Sequence, residues 1–223
     1  MTRRAVRGVG VIALLVAVQS PFTVRAGELP AADVVAAAKE GVRTYVHGIP
    51  ADRVNQFGFS DQGEVDASTL GQGFRIFTVH PDVLLETAAG GDISSLAVPT
   101  TLWQFLITTG GKTASLLTVD LMEGSWVPVS LGSAGLAGQL GQLMKTWPAS
   151  DGYDYRIIRI YQAQSDFVEI SQGEVIIGIL PLTSARVALG LTDDFDPGNL
   201  RDGKSIVNDI RPVVQKSLKD DGK

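Results

Sequence analysis

Two runs of strand-like segments, separated by a helical segment, constrain the fold of this chain more than any other feature. The first run covers residues 102–109, 113–121 and 126–131, in which apolar and polar residues alternate as in a half-buried strand. Gly110-Gly111 and Glu123-Gly124 separate these segments, and both pairs suit tight turns. We therefore predict a three-stranded antiparallel meander. Its third strand contains a proline, which cannot donate a ladder hydrogen bond and so predicts an edge or bulge position.

The second run has the same organisation. It covers residues 155–163, 167–171 and 174–180, which are rich in β-branched and aromatic residues. Ser165-Asp166 and Gln172-Gly173 provide the turns between them. This pattern predicts a second three-stranded antiparallel meander.

Helical segments surround these two runs. Pro30 is compatible with the first turn of a helix, and Gly48 and Pro50 would end that helix. A second helix is predicted after Ser133, a good N-cap residue, and a third over residues 205–218. No strand alternates singly with a long helix, which argues against a doubly wound parallel sheet.

Three glycines recur at every third position of the second predicted helix: Gly135, Gly138 and Gly141. Each costs up to ~1 kcal/mol of helix stability relative to alanine. We therefore expect this helix to approach a sheet or another helix closely. A phosphate-binding glycine loop is a poorer interpretation, because the glycines lie inside the helical pattern and no Lys-Ser/Thr pair follows them.

The predicted fold class is α+β, with a largely antiparallel sheet formed by the two meanders and with helices packed on one face. A further strand is predicted over residues 74–79, after Gly71 and Gly73 break the chain. No change of composition separates the two halves, so residues 27–218 are expected to form one globular domain. Residues 219–223 are expected to fray.

The first 26 residues have the three parts of an export signal. Three arginines occur among the first seven residues, an apolar stretch covers residues 8–18, and small residues precede Gly27 at Val24 and Ala26. The apolar stretch is far shorter than the ~20 residues that span a bilayer. We predict cleavage after Ala26 and a periplasmic or extracellular protein, the alternative being an uncleaved N-terminal anchor.

Composition excludes several kinds of chemistry and partner. The chain has no cysteine, which excludes disulfides, thiol catalysis and cysteine-based metal sites. Loss of the signal would remove four arginines and no acidic residue, which takes the formal net charge from −5 to −9. An acidic protein repels phosphate backbones, so nucleic acid is not an expected partner. No membrane span is predicted after the cleavage site.

No catalytic or cofactor motif stands out, and we assign no catalytic residue, cofactor or metal ligand. His47 and His80 are the only histidines, and both are predicted at element boundaries. Asp154, Glu169 and Glu174 could gather at one end of the second meander, as the paired carboxylates of a hydrolase do. Acidic residues beside turns are more commonly solvated.

An acidic loop provides a second alternative. Residues 193–199 place oxygen ligands at alternate positions together with a glycine, which suits Ca²⁺. The loop departs from the EF-hand pattern, because Pro197 is rigid and Ser205 stands where a glutamate would be. An ordinary loop rich in Asp, Pro and Gly is the plainer interpretation.

The most suggestive candidate for partner binding is one face of the first strand of the second meander. Tyr155, Arg159 and Tyr161 share this face with Ile157. Tyrosine and arginine are enriched where proteins bind partners. The alternative is an ordinary amphipathic face exposed to solvent.

Several short motifs resemble an uncharacterised family of exported bacterial proteins that has a Leu-Gly-x-Pro-Phe/Tyr-x-Val-Tyr segment, a Trp-x-Phe strand and a Gly-Lys turn. The matching segments are Gly41-Val42, Gly48-Ile49-Pro50, Phe57-Gly58-Phe59, Leu70-Gly71-Gln72-Gly73-Phe74, Ile76-Phe77-Thr78-Val79, Leu102-Trp103-Gln104-Phe105 and Gly111-Lys112. Gly73 stands where that family often has proline, and Phe77 where it often has tyrosine. The resemblance implies an exported α+β domain and supplies no catalytic residues.

These observations favour an exported, non-catalytic binding or accessory domain with an unknown protein or small-molecule partner. A carboxylate-dependent extracytoplasmic hydrolase and a Ca²⁺-stabilised structural domain are the alternatives.

Overall fold

The computed structural model describes residues 29–88 and 90–221. The predicted signal and its cleavage site lie outside the described residues. The strands are β1 (Thr69–Thr78), β2 (Val98–Thr109), β3 (Lys112–Met122), β4 (Ser125–Gly132), β5 (Tyr153–Ile160), β6 (Ser165–Gln172) and β7 (Val175–Pro181). The α-helices are α1 (Ala32–Gly41), α2 (Gln62–Asp66), α3 (Pro81–Glu86), α4 (Ile93–Leu96), α5 (Ala134–Thr146), α6 (Thr183–Ala188) and α7 (Gly203–Asp221). Helix α7 continues beyond its predicted end at Leu218.

All seven strands form one sheet in the order β4-β3-β2-β1-β5-β6-β7. Every neighbouring pair is antiparallel except β1 and β5, which are parallel. The predicted α+β class and the largely antiparallel sheet are confirmed. The prediction of two three-stranded meanders needs correction, because β1 extends the first run to four strands and joins it to the second. Strand β4 is an edge strand with a bulge beside Pro128, between Pro128 and Ser130, as the proline predicts.

Helices cover both faces of this sheet, so the prediction that they pack on one face is wrong. Phe105 belongs to the apolar cluster under α1, and its neighbour Leu106 belongs to the cluster under α5. Likewise Ile157 packs in the cluster under α5, and Ile158 in the cluster under α7. Consecutive strand residues point to opposite faces. Helix α5 therefore covers one face, and α1 and α7 cover the other.

The glycines of α5 do not share one explanation. A Cβ at Gly141 would lie 2.7 Å from the hydroxyl oxygen of Thr113 on β3, so close packing accounts for this glycine. A Cβ at Gly135 or Gly138 would meet no atom within 4 Å. The predicted close approach therefore holds at one of the three positions. Ser133 precedes the helix as predicted, but its backbone is left-handed and its side chain does not cap the helix.

Candidate binding cleft

A cleft of about 410 Å³ opens where β1 and β5 diverge in the middle of the sheet. The two strands pair only through residues 76–78 and 157–159. Immediately before this short ladder, Gln72–Arg75 of β1 and Asp154-Tyr155 of β5 line the cleft. Phe74 and Arg75 are consecutive strand residues and point to opposite faces. Because both line the cleft, it lies between the two strands and not on one face of the sheet.

Two β-bulges bracket the lining part of β1. The pairing with β2 is irregular between Leu70 and Gly73, and again between Arg75 and Phe77. A bulge bends its strand and increases the local twist. A Cβ at Gly73 would lie 2.5 Å from the Phe105 ring, so only glycine fits where β1 approaches β2 here. The bulges direct this part of β1 away from a continuous ladder with β5.

Three aromatic residues are among those that line the cleft, but each of them is almost fully buried. Phe74, Phe77 and Tyr155 all line it, and the Phe74 and Tyr155 rings meet edge to face with centroids 6.0 Å apart. Leu29, Pro30 and Ala149 lie around the same opening. The wall is therefore largely apolar, as is usual for sites that bind small ligands or single side chains.

Tyr155 lines the cleft, but its hydroxyl group is engaged within the fold. The residue is only 4% exposed, and its hydroxyl donates a hydrogen bond to the Trp147 carbonyl. Burial, together with the neighbouring Asp154 carboxylate, raises the pKa of Tyr155 to about 12. The hydroxyl is thus protonated and engaged within the fold.

Two charged side chains line the cleft from opposite strands. Arg75 on β1 donates its Nε–H to the Thr100 carbonyl oxygen at 2.8 Å, which anchors it to β2. Asp154 on β5 is half-buried, and its carboxylate has no hydrogen bond or ion pair with any residue that the structure describes. Asp154 is therefore a carboxylate in the cleft wall without a bound counter-charge.

A buried ion pair stands next to the cleft, on the face that α7 covers. Nη2 of Arg156 lies 2.6 Å from Oε2 of Glu169, and the two side chains are 5% and 2% exposed. The same nitrogen donates to the Ser94 carbonyl oxygen at 2.8 Å. The Arg156 guanidinium carbon lies 4.9 Å from the centroid of the Phe77 ring. This pair ties β5, β6 and α4 together and helps hold one wall of the cleft.

The structure does not bring the three predicted partner-binding residues into one exposed surface. Tyr155 lines the cleft at the start of β5. Arg159, near the other end of the strand, lines a separate cavity of about 330 Å³ and pairs with Asp166 at 2.6 Å. Tyr161 is 46% exposed and lies in the 3₁₀ turn that follows β5. The three residues alternate along the chain as residues on one face of a strand do, but this alternation does not show which of them are buried and which are exposed.

The three carboxylates of the hydrolase hypothesis have different environments. Asp154 lines the cleft, Glu169 is paired with Arg156, and Glu174 lies in the turn between β6 and β7. In the β5–β6 ladder Asp154 pairs with Ser171 and Arg156 pairs with Glu169, so Asp154 and Glu169 are diagonal neighbours. Glu169 nevertheless serves the internal ion pair.

The acidic loop after α6 is held by the protein's own groups. The Arg186 guanidinium bonds to the carbonyl and the carboxylate of Asp193, and Asn199 donates to the same carboxylate at 3.1 Å. The hydrogen bond from Arg186 lowers the pKa of Asp193. Within the described part of the chain, no group of three or more His, Cys, Asp or Glu side chains could hold a metal ion. His47 ends the π-helical turn after α1, and His80 precedes α3.

Comparison with protein-family models, with curated proteins and with solved structures finds no match to this chain. The resemblance to exported bacterial proteins therefore stays a prediction. Among the described residues, no helix combines the length and the apolar character that a membrane span needs.

Proposed function

We propose that this protein is an exported, non-catalytic binding or accessory domain that takes a protein or small-molecule partner in the cleft between β1 and β5. The observation that carries this proposal is the cleft itself, a gap in the sheet whose described lining is mostly apolar and includes the half-buried Asp154 carboxylate. A site that is mostly apolar, with a few polar groups, is the usual form of a ligand pocket.

The chemistry of the cleft wall supports binding more than catalysis. Among the described residues, its ionisable side chains are Arg75, Asp154 and Tyr155, and the Tyr155 hydroxyl is engaged by the Trp147 carbonyl. Hydrolysis by two carboxylates needs both of them near the scissile bond. Glu169, which lies diagonally opposite Asp154 on β6, is buried against Arg156. The hydrolase alternative is therefore less well supported than binding.

Export rests on the N-terminal sequence. The basic start, the short apolar stretch and the small residues before Gly27 are the parts of a cleavable signal. The protein would then work in the periplasm or the medium, as the resemblance to exported bacterial proteins also implies. Mass spectrometry of the extracytoplasmic protein should find Gly27 as its first residue. An intact Met1 in the membrane fraction would contradict this prediction.

A cleft-filling substitution tests the binding function. Ala149 is exposed and lines the cleft, so Ala149→Trp should fill the opening without disturbing the core. Ser150 is the next residue in the same 3₁₀ turn, is also exposed and does not line the cleft, so Ser150→Trp is a matched control. The tagged full chain would be used to capture partners from the extracytoplasmic fraction.

We expect Ala149→Trp to lose the partner that the wild-type protein and Ser150→Trp capture. Equal capture by both variants would show that the cleft is not the binding site. Absence of any specific partner, together with turnover on a peptide or glycan library, would contradict the non-catalytic function.

A further inference from the structure

We propose that a second cavity, next to the first turn of α5, binds the neighbouring hydroxyl groups of a saccharide or another neutral polyol. The cavity has a volume of about 330 Å³, and residues of α5, α6, β5 and β6 line it. No described residue lines both this cavity and the cleft between β1 and β5. The inference therefore goes beyond the function proposed for the cleft and does not depend on it.

The first argument is an ion pair that is recessed but open to solvent. Nε of Arg159 lies 2.6 Å from Oδ1 of Asp166, and the two side chains are 23% and 15% exposed. Both residues line the cavity. No further hydrogen bond joins the two Nη groups of Arg159 or Oδ2 of Asp166 to any group that the structure describes. The pair therefore has hydrogen-bonding capacity left for a ligand.

Two serine hydroxyl groups extend this polar surface, because Ser133 and Ser184 also line the cavity. Ser133 is exposed, and its Oγ makes no hydrogen bond within the described part of the chain. Its backbone is left-handed, with a φ of 57°, a conformation that is rare for residues other than glycine and is concentrated at functional sites. Ser184 accepts the Asp166 N–H at 2.9 Å and keeps its own hydroxyl proton as a donor.

Gly135 leaves the mouth of the cavity open. It is exposed and lines the cavity, and a Cβ at this position would meet no atom within 4 Å. Close packing therefore does not explain this glycine, whereas access to the cavity does. The half-buried Leu136 lies next to it in the lining and provides apolar surface for the ring carbons of a ligand.

The combination of these groups indicates the chemistry of the ligand. Arginine can only donate hydrogen bonds, an ionised aspartate can only accept them, and serine can do both. A ligand with two neighbouring hydroxyl groups satisfies the ion pair, because one hydroxyl accepts from the guanidinium and the other donates to the carboxylate. The charges of Arg159 and Asp166 cancel, so the site has no net attraction for an ion. A volume of about 330 Å³ is at the lower end for ligand pockets and suits one sugar ring.

Chemical-shift titration of the ¹⁵N-labelled protein by NMR tests this assignment and locates the site. The probes cis-1,2-cyclohexanediol and cyclohexanol have the same ring and differ by one hydroxyl group. The methyl glycosides of glucose, galactose and mannose present the same diol chemistry on a sugar ring. Inorganic phosphate tests the alternative that the guanidinium binds an anion.

Two matched pairs of variants accompany the probes. Gly135→Leu and Gly138→Leu both add a side chain to α5 where a Cβ meets open space, but only Gly135 lines this cavity. Asp166→Asn and Asp209→Asn both remove the negative charge from an ion pair of 2.6 Å, but Asp209 does not line the cavity. Circular dichroism verifies the fold of each variant, and Gly135→Leu alone decides if Asp166→Asn does not fold.

We expect the diol and at least one glycoside to shift the Gly135 amide and the Arg159 Nε–H signals, and the diol to bind at least fivefold more tightly than cyclohexanol. Gly135→Leu and Asp166→Asn should weaken this binding tenfold or more, and Gly138→Leu and Asp209→Asn should retain it. Equal affinity for diol and cyclohexanol, no binding of any diol or glycoside, tighter binding of phosphate, or unchanged affinity in Gly135→Leu would overturn the assignment. Shifts confined to the cleft between β1 and β5 would overturn it as well.

Discussion

Glu169→Gln removes the negative charge from the buried ion pair beside the cleft, and we expect it to destabilise the protein strongly. Arg156 and Glu169 are 5% and 2% exposed, so solvent cannot replace the lost counter-charge. The substitution conserves the shape of the side chain, so it creates no cavity. Breaking a buried pair by removing one partner typically costs about 3–5 kcal/mol, because the other charge is left uncompensated.

The size of this effect is large for a single domain. Total free energies of unfolding are roughly 5–15 kcal/mol, so the variant should lose about a fifth of its stability or more. A domain of this length loses roughly 2–4 °C of melting temperature per kcal/mol, which predicts a decrease of about 6–20 °C. The Ser94 carbonyl still accepts a hydrogen bond from Arg156 in the variant, but a neutral oxygen does not balance the guanidinium charge.

Urea unfolding followed by circular dichroism at pH 7 measures the effect. Asp209→Asn is the control, because its pair with Arg201 is 49% exposed on the aspartate side and should contribute no more than about 1 kcal/mol. The double variant Arg156→Met/Glu169→Leu should be less destabilised than Glu169→Gln, since it leaves no buried charge. A loss below about 1 kcal/mol in Glu169→Gln, or a double variant as unstable as the sum of its single changes, would refute the reasoning.

Three further predictions concern other parts of the sheet and its helices. Gly138→Ala should raise the free energy of unfolding by about 0.5–1 kcal/mol, because a Cβ at this helical position meets open space. Gly141→Ala should lower the free energy of unfolding, because its Cβ would collide with Thr113 on β3. Urea unfolding of the two variants measures both effects. Ile176→Lys should reduce aggregation of concentrated protein in light scattering, since it places a charge on an exposed apolar edge strand, whereas Val187→Lys on α6 should not. Burial raises the pKa of Tyr155 to about 12, so the folded protein favours the protonated hydroxyl. The stability that this protonated hydroxyl contributes should be complete below the ordinary tyrosine pKa of about 10 and should be lost as the pH rises towards 12. Absorbance at alkaline pH should show one late-titrating tyrosine that Tyr155→Phe removes.

Local turn signals account for the parts of the fold that the sequence predicted well. Gly110 and Gly111 both have positive φ angles, as the two-residue turn between β2 and β3 requires. Gly124 and Gly173 also have positive φ angles in the turns after β3 and β6. These hairpins pair segments that are close in the sequence, so a few residues decide each one.

Whether helices cover one face of the sheet or both depends on which strands are buried on both faces. Ile157 and Ile158 are consecutive, fully buried and on opposite faces of β5. A strand that is buried on both faces has a continuous apolar run, which indicates cover on both sides. The prediction that helices pack on one face follows from the order of strands and helices along the chain, which does not distinguish one covered face from two.

The cleft could not be predicted from the sequence, because its two sides belong to β1 and β5. These strands pair in parallel although they are far apart in the chain. Phe74 and Asp154 come from β1 and β5, which pair only after three strands and α5 have intervened. Residue spacing along the chain does not report this contact. The same limit made Tyr155 look like a surface residue, since what buries it is Phe74 on the other strand and Trp147 after α5.

One local signal for the cleft was nevertheless present in the sequence. The sequence predicts a break at Gly71 and Gly73 before a strand at residues 74–79, but both glycines lie inside β1, which begins at Thr69. Glycine within a strand is a marker of a bulge or of close backbone approach. Both occur here, because β1 has a bulge between Leu70 and Gly73 and Gly73 lies against the Phe105 ring. Since bulged strands change direction, these glycines indicated where β1 could separate from a neighbouring strand, although the identity of that neighbour required the fold.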